Sequence, residues 1–267
     1  MVQMADRPGT LVLNSTPLPV KGDVRVLLYN IRYGTGTGWH YHVPFPFAGC
    51  LHPTVHRMRK IASFLESQAP DILGLLEVDF GSFRHNFSCQ AQSLGIALGM
   101  TSQRAVKYAP DNPVVQFPLF RHQGNAVLSS LAVESTSLHQ LNRGMKRAVM
   151  EVDFGEFVFV LVHLSLGRNA RHQQLRDLVT LLKRIKKPVI FGGDCNTFGG
   201  AAELREFLEA SNLRSTDPRN IPTYSSLTPQ RQLDFIFTTP EFSVRSFEVP
   251  QITLSDHLPL VCDLFLS

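Results

Sequence analysis

Short apolar runs that stop abruptly at polar residues organise the chain. Eight of them, over 24–30, 71–77, 124–130, 146–153, 157–164, 188–193, 233–238 and 260–266, have the length and the Val, Ile, Leu and Phe content of β-strands. Several lack strict alternation of apolar and polar positions, which predicts strands buried on both faces. Two segments follow a helical period instead: Val55, Met58, Ile61, Ala62 and Leu65 share one face, as do Leu175, Leu178, Val179, Leu182 and Ile185. Pro53 suits a helix start and Pro188 a stop. Shorter helices are expected over 84–94 and 201–210, and the stretches 32–53 and 101–123 read as long Gly/Pro-rich connections. Strands and helices mixed in this order predict an α/β domain in layers, its sheets covered by helices.

Composition narrows the class. The 267 residues, at roughly 150 per domain, allow one or two domains; the simpler division is an N-terminal extension over 1–22 and a single domain over 23–267. A hydrophobic share of 43% with 18% charged residues supports a sizeable core and excludes a disordered or fibrous chain. The balance of 26 basic and 22 acidic residues, a net +4, is too mild to announce nucleic acid by itself. Residues 1–20 lack the apolar core of about 7–15 residues that marks a secretory leader, so a cytoplasmic protein is expected. The most apolar stretch, 157–166, is interrupted by His163 and is about half the length that spans a bilayer. Cys50, Cys89, Cys195 and Cys262 stand far apart and signal neither zinc nor a disulfide framework; Cys195 reads as a small packed residue.

The chemistry lies where the apolar runs end. VRVLLYN stops at Asn30, DILGLLE at Glu77, FVFVLVH at His163 and PVIFGGDCN at Asp194 and Asn196; QLDFIF carries Asp234, and SDH supplies Asp256 and His257 before the last run. Any one of these could be an ordinary strand exit or turn residue. Together they resemble the loop-borne polar groups from which a rigid scaffold builds a site. Carboxylates and amide oxygens are hard ligands that suit Mg²⁺, with Mn²⁺ as a substitute, and no thiolate accompanies the histidines to favour zinc. An ion of that kind points to phosphate chemistry, with an Asp to act on water and a His or amide to steady developing charge.

The motifs NIR, LLE, GNAVLSS, VHLSL, GGDCN, QLDFIF and SDHLPL, in this order from Asn30 to Leu260, resemble the endonuclease/exonuclease/phosphatase superfamily, the metal-dependent phosphoesterases typified by DNase I. The resemblance implies a four-layer α/β sandwich, two mixed β-sheets packed face to face with helices outside. It implies Glu77 as the principal metal ligand, with Asn30 and Asp256 completing or bracing the metal site. Asp194 would orient or deprotonate the attacking water, Asn196 and His163 would hold the scissile phosphate, and His257, oriented by Asp234, would stabilise the transition state as base or as charged clamp. RQLDFIF departs from the Trp-containing signature of abasic-site nucleases, and the Trp-Cys-Asp-Arg signature of inositol polyphosphate phosphatases is missing.

Two features bear on the substrate. The segment 34–49 carries Trp39, Tyr41, Phe45 and Phe47 and could meet a lipid surface, stack on bases or cover the protein itself. His40, His42, His52 and His56 are too irregularly spaced for a metal site. Between 140 and 190 there are ten Lys or Arg against four acids; helix-face solvation accounts for most, while Arg143, Lys146 and Arg168, in or beside expected loops, are the better phosphate-binding candidates. The expectation is a Mg²⁺-dependent hydrolase of a phosphodiester, lipid or small-molecule ahead of DNA or RNA, with no partner protein implied. A non-catalytic binding protein of the same fold would be expected to have lost Glu77, Asp194, Asp256 or His257, and all four are present.

Overall fold

The expected apolar runs become the interiors of two sheets. The computed structural model describes residues 22–42, 48–107, 116 and 120–267, with the backbone alone at Trp39, His40 and Ala48. The first sheet has the order β11 (Phe242–Glu248), β12 (Leu260–Leu266), β1 (Asp23–Asn30), β2 (Ile72–Asp79), β4 (Gln123–Ser129) and β3 (Thr101–Val106). The second has the order β5 (Ser135–Gln140), β6 (Ala148–Asp153), β7 (Val158–His163), β8 (Val189–Asp194), β10 (Asp234–Thr238) and β9 (Arg214–Ser215). Both are mixed: β1 runs parallel to β2 and β7 to β8, and the remaining pairs are antiparallel. A parallel pair needs a crossover, and the two predicted helices supply them. Helix α1 (Val55–Gln68) links β1 to β2 and buries Met58, Ile61 and Leu65; α3 (Arg168–Leu182) links β7 to β8 and buries Leu175, Leu178 and Leu182. The shorter helices are α2 (Gln90–Leu98), after a single 3₁₀ turn at Phe83–His85, and α4 (Arg205–Ser211), after a 3₁₀ turn at Ala201–Leu204.

The two-residue period of a strand assigns each side chain to a face. Val24, Val26 and Leu28 of β1, Phe159 and Leu161 of β7, Ile190 of β8 and Ile236 of β10 meet in one cluster between the sheets. The alternate residues Leu27 and Tyr29 pack under α1 and α2, and Val158, Val160, Val162 and Phe191 pack under α3 and α4. Burial on both faces explains why these runs do not alternate in sequence. Gly74 and Gly192 occupy inward positions, and a Cβ at Gly74 would lie 3.1 Å from Leu161, 3.2 Å from Leu28 and 3.2 Å from Phe159. Their small size makes room for Leu28 and Phe159 to fill the gap between the sheets.

The four strands that the apolar pattern does not announce, β3, β5, β9 and β11, are the four edge strands. β3 therefore corrects the expectation of a connection through 101–106. Its sequence, TSQRAV, buries only Ala105, and STSLHQ of β5 buries nothing. Edge strands exposed on one face carry polar side chains, which also discourages pairing with a second molecule.

Candidate active site at the seam between the sheets

Register places three polar residues in one row of the second sheet. His163 is paired with Asp194 across the parallel β7–β8 ladder, and Asp194 with Asp234 across the antiparallel β8–β10 ladder. Each extends an inward-facing series, Phe159–Leu161–His163, Ile190–Gly192–Asp194 and Ile236–Asp234, so all three side chains point toward the first sheet. They are at most 3% exposed. His163 Nε2 lies 3.1 Å from Asp194 Oδ2. Burial and the Lys146 ammonium hold the His163 imidazole down to about 4 against the pull of Asp194, so it is neutral at pH 7.

His257 enters from the loop before β12. Its Nδ1 is 2.7 Å from Asp234 Oδ2 and its Nε2 is 3.9 Å from Asp194 Oδ2. Thr223 fixes the same carboxylate, its hydroxyl donating to Asp234 Oδ2 at 2.6 Å, and its carbonyl accepts from Leu258 N. The Tyr224 ring packs on the imidazole with centroids 5.0 Å apart. Burial opposes the charged imidazole, but Asp234, Asp194 and Asp256 overcome it and raise the group to about 10. Asp194 sits between the two histidines with its carboxyl well below the usual range: burial works against ionisation, but in the acid range where it titrates both imidazoles are protonated and outweigh it.

Glu77 breaks the alternation of β2. Leu76 faces inward with Ile72, so a regular strand would turn Glu77 outward. Instead the β2–β4 register shifts between Leu75 and Val78, a bulge in which Leu76 and Glu77 stand opposite Asn125. Glu77 has φ +54°, and its N–H donates to Asn125 Oδ1 at 3.4 Å. This left-handed conformation is rare for a residue with a side chain and clusters at functional positions. It delivers the carboxylate to within 4.0 Å of His163 and 3.8 Å of Lys146. Burial works against ionisation, yet Lys146, Lys107, His163 and His257 hold the Glu77 carboxyl at about 2.

Asn30 and Asp256 complete the first-sheet half. Asn30 donates its amide to Asp194 Oδ2 at 3.3 Å, and its Oδ1 accepts from Arg32 N at 3.1 Å. Arg32 also places Nε 3.3 Å from Asp256 Oδ2 and lays its guanidinium 3.7 Å over the Tyr41 ring. Burial pushes the Asp256 carboxyl up, and the Glu77 charge adds to that push. Two half-buried carboxylates, one of which raises the other's cost of ionisation, accompanied by an amide oxygen, fit a hard divalent cation. The Oδ1 of Asn30 is already engaged by the backbone, which suits bracing better than ligation. A second grouping, Asp194, Asp234 and His257, presents possible ligand atoms within 4.8 Å of one another, but His257 Nδ1 is occupied by Asp234.

Not every sequence candidate joins this cluster. Asn196 does, with φ +51°, its N–H on Asp194 Oδ1 and its amide on the Leu164 carbonyl. Arg143 is exposed, and its carbonyl accepts from Gln174. Arg168 is exposed at the start of α3, where it lines a groove of about 600 Å³ with His172, Arg176, Glu203 and Arg205. The Trp39 side chain, Phe45 and Phe47 lie outside the described residues. Arg32, Lys107, Thr223 and Tyr224 escaped sequence reasoning because none ends an apolar run; the NIR triplet was the only available signal for Arg32.

The family model of the endonuclease/exonuclease/phosphatase family matches residues 27–257. The chain belongs to this family. The matched range includes every residue of the cluster. Solved structures of the same fold include a family member from Beutenbergia cavernae (TM-score 0.69, 21% identity, 92% of this chain and 72% of that one). They also include the human Nocturnin catalytic domain with bound sulfate (TM-score 0.67, 22% identity, 92% and 94%) and a mannosyl-6-phosphatase from Bacteroides thetaiotaomicron (TM-score 0.67, 17% identity, 91% and 100%). A UPF0294 protein of Vibrio parahaemolyticus is 27% identical over 135 residues, which are 49% of this chain and 44% of the Vibrio protein. The match thus spans less than half of that relative. Members of the family are hydrolytic phosphoesterases.

Proposed function

We propose that the chain is a divalent-metal-dependent hydrolase of phosphodiesters, with water as the nucleophile. One observation carries this reading: buried and half-buried, oriented groups from both sheets, Asn30, Glu77, Asp256 and His257 from the first sheet and its loops and His163, Asp194 and Asp234 from the second, converge at one end of the seam. Glu77 would hold Mg²⁺ or Mn²⁺ with Asp256, braced by Asn30. When bound, the ion supplies charge to neutralise a phosphoryl oxygen. Asp194, kept ionised beside the charged His257, orients the attacking water. His257, charged and aligned by Asp234, stabilises negative charge that grows on the phosphoryl group. Neutral His163 and Asn196 set the position of the scissile phosphate.

A lipid or small-molecule phosphodiester is the favoured substrate, supported by the missing nuclease Trp signature and by the aromatic residues of 34–49. A nuclease is the second reading, supported by the basic excess over 140–190. Hydrolysis should be measured for wild type and His257→Ala on single-stranded DNA, abasic duplex, RNA, sphingomyelin vesicles, an aryl phosphodiester and an aryl phosphomonoester. Each is tested with Mg²⁺, with Mn²⁺ and with EDTA. The expected result is turnover by wild type with either ion, none in EDTA, and a loss of about 10²–10⁴ in the variant. Silence across the panel with both ions would overturn the proposal.

A further inference from the structure

Large apolar side chains left in solvent are unevenly placed over the molecule. Strand direction sets Asn30, Glu77, His163 and Asp194 at one end of the two sheets, so the loops after β1, β2, β5, β7 and β8 and the loop before β10 surround the mouth of the candidate site. Leu51, Phe83 and Phe87 are exposed in the mouth loops of the first sheet, and Met145, Leu166, Phe198 and Leu227 in those of the second. Among the described residues, the loops at the opposite end expose no apolar side chain of this size. A loose loop does not explain Phe87, which is 78% exposed. Arg84 ties its loop down, donating from Nη1 to the Cys50 carbonyl at 3.2 Å and accepting from Thr54 N at 2.9 Å, and Phe87 N donates to the Ser82 carbonyl at 3.0 Å. Asn86 at φ +50° and Phe87 at φ +57° both hold the left-handed conformation, which is an outlier for a bulky side chain. The chain accepts this strain while leaving the ring in water.

Charge follows the same division. Arg121, Arg143, Arg168 and Arg231 are exposed in or beside the mouth loops. Among the described residues of those loops no acidic side chain is exposed; Asp217 is buried there. Arg121 meets the His122 ring, and Arg231 donates to the Phe198 carbonyl at 3.3 Å while covering its ring at 5.3 Å. Arg168 lies near Glu203, whose carboxylate is paired with Arg171 at 2.6 Å. At the opposite end, exposed Lys183, Arg184 and Lys186 are interspersed with exposed Glu134, Glu156 and Glu241. Exposed rings could stack on bases, but Leu51, Met145, Leu166 and Leu227 are aliphatic and gain only by leaving water. Apolar tips with arginines among them match an anionic bilayer, where apolar groups enter the acyl boundary and cations meet the headgroups. We infer that the mouth of the site docks onto an anionic lipid surface. This rests on the reading of the seam as the active site, and it narrows the substrate to a phosphodiester presented by a membrane.

Vesicle sedimentation in EDTA reads docking apart from turnover. Wild type should bind phosphatidylcholine vesicles that contain phosphatidylserine at least about tenfold more tightly than vesicles of phosphatidylcholine alone. Phe87→Ser, Leu166→Ser or both should weaken that binding at least about threefold, and Phe87→Trp should retain it. Ile96→Ser is the control: Ile96 is 76% exposed on α2, outside the mouth loops, and its loss should change nothing. Thermal melts run in parallel confirm that each variant is folded. A labelled oligothymidylate, titrated in the same buffer, offers the nucleic-acid alternative. Wild type that binds the oligothymidylate but not the vesicles, equal binding to both vesicles, binding unmoved in both serine variants, or an equal loss in Ile96→Ser would overturn the inference. Hydrolysis of a soluble aryl phosphodiester with Mg²⁺ or Mn²⁺ separates the two proposals. Phe87→Ser should match wild type there; turnover without vesicle binding removes the docking face alone, and vesicle binding without turnover of any substrate removes the hydrolase reading.

Discussion

Replacing Arg84 with methionine removes the largest buried cation beneath the Glu77 strand. Arg84 is 1% exposed and Asp79 fully buried. The guanidinium donates from Nε and Nη2 to Asp79 Oδ2 at 3.0 and 2.8 Å and from Nη1 to the Cys50 carbonyl at 3.2 Å, and it covers the Tyr33 ring at 4.8 Å. Breaking a buried ion pair by removing one partner costs about 3–5 kcal/mol, because the remaining charge is stranded. Asp79 keeps the backbone N–H groups of Gly81 and Ser82 at 3.0 and 2.7 Å and the Ser82 hydroxyl, so the low end, about 3 kcal/mol, is expected. That is a large fraction of the roughly 5–15 kcal/mol that holds a typical domain together. Urea unfolding followed by circular dichroism reads it directly, with an unchanged slope. The pH dependence gives a second check. Burial raises the Asp79 carboxyl, but Ser82, Arg84 and Gly81 together hold it below its ordinary value. A depressed carboxylate stabilises the fold above its unfolded pKa of about 3.9 and loses that contribution as the pH falls through the folded value, so the gap between wild type and variant should close below about pH 4. A cost under about 1 kcal/mol at pH 7, or a gap that widens in acid, would refute the reasoning.

Glu77→Gln should raise the Mg²⁺ concentration needed for half-maximal turnover by at least about tenfold while the melting temperature stays within a few degrees; an unfolded variant would assign Glu77 a structural role instead. Asp234→Asn preserves a hydrogen-bond acceptor for His257 Nδ1 but removes its charge. The imidazole should then titrate well below about 10 by NMR and turnover should fall about 10²–10⁴, and an unmoved titration would show that Asp234 does not hold the charge. Gly193→Ala places a Cβ 2.4 Å from the Val162 carbonyl oxygen and 2.5 Å from Val162 Cγ2, so a loss of about 1–3 kcal/mol is expected in denaturant titration; a neutral result would mean that the β7–β8 ladder yields more easily than its geometry suggests.

The sequence made the interior legible and left the rim obscure. Strands such as β7 and β8 are buried on both faces, so their apolar runs stand out, and the residue that ends each run is delivered by parity to the site: His163 and Asp194 follow this rule. Glu77 obeys a different one, because its inward turn depends on the bulge opposite Asn125, and local pattern carries no signal for a left-handed Glu. The family motifs named it where periodicity did not. Lys107 and Arg32 act through tertiary contacts, to Tyr33 in one case and to Asp256 and Tyr41 in the other, which only the folded chain brings together.

Gly74 and Gly192 set how near the two sheets come, since Leu28 and Phe159 occupy the space that side chains there would take. Asn30, Glu77, Asp256 and His257 ride on one sheet and its loops and His163, Asp194 and Asp234 on the other, so the interior would work as a calibrated spacer for the proposed chemistry. A methyl group added at Gly74 would wedge that spacer open at a depth no reactant reaches. Misplacement of reacting groups by about 1 Å can cost about 10² in rate, so catalysis would gauge the interior more finely than any melting curve: turnover would fade while the fold still stood.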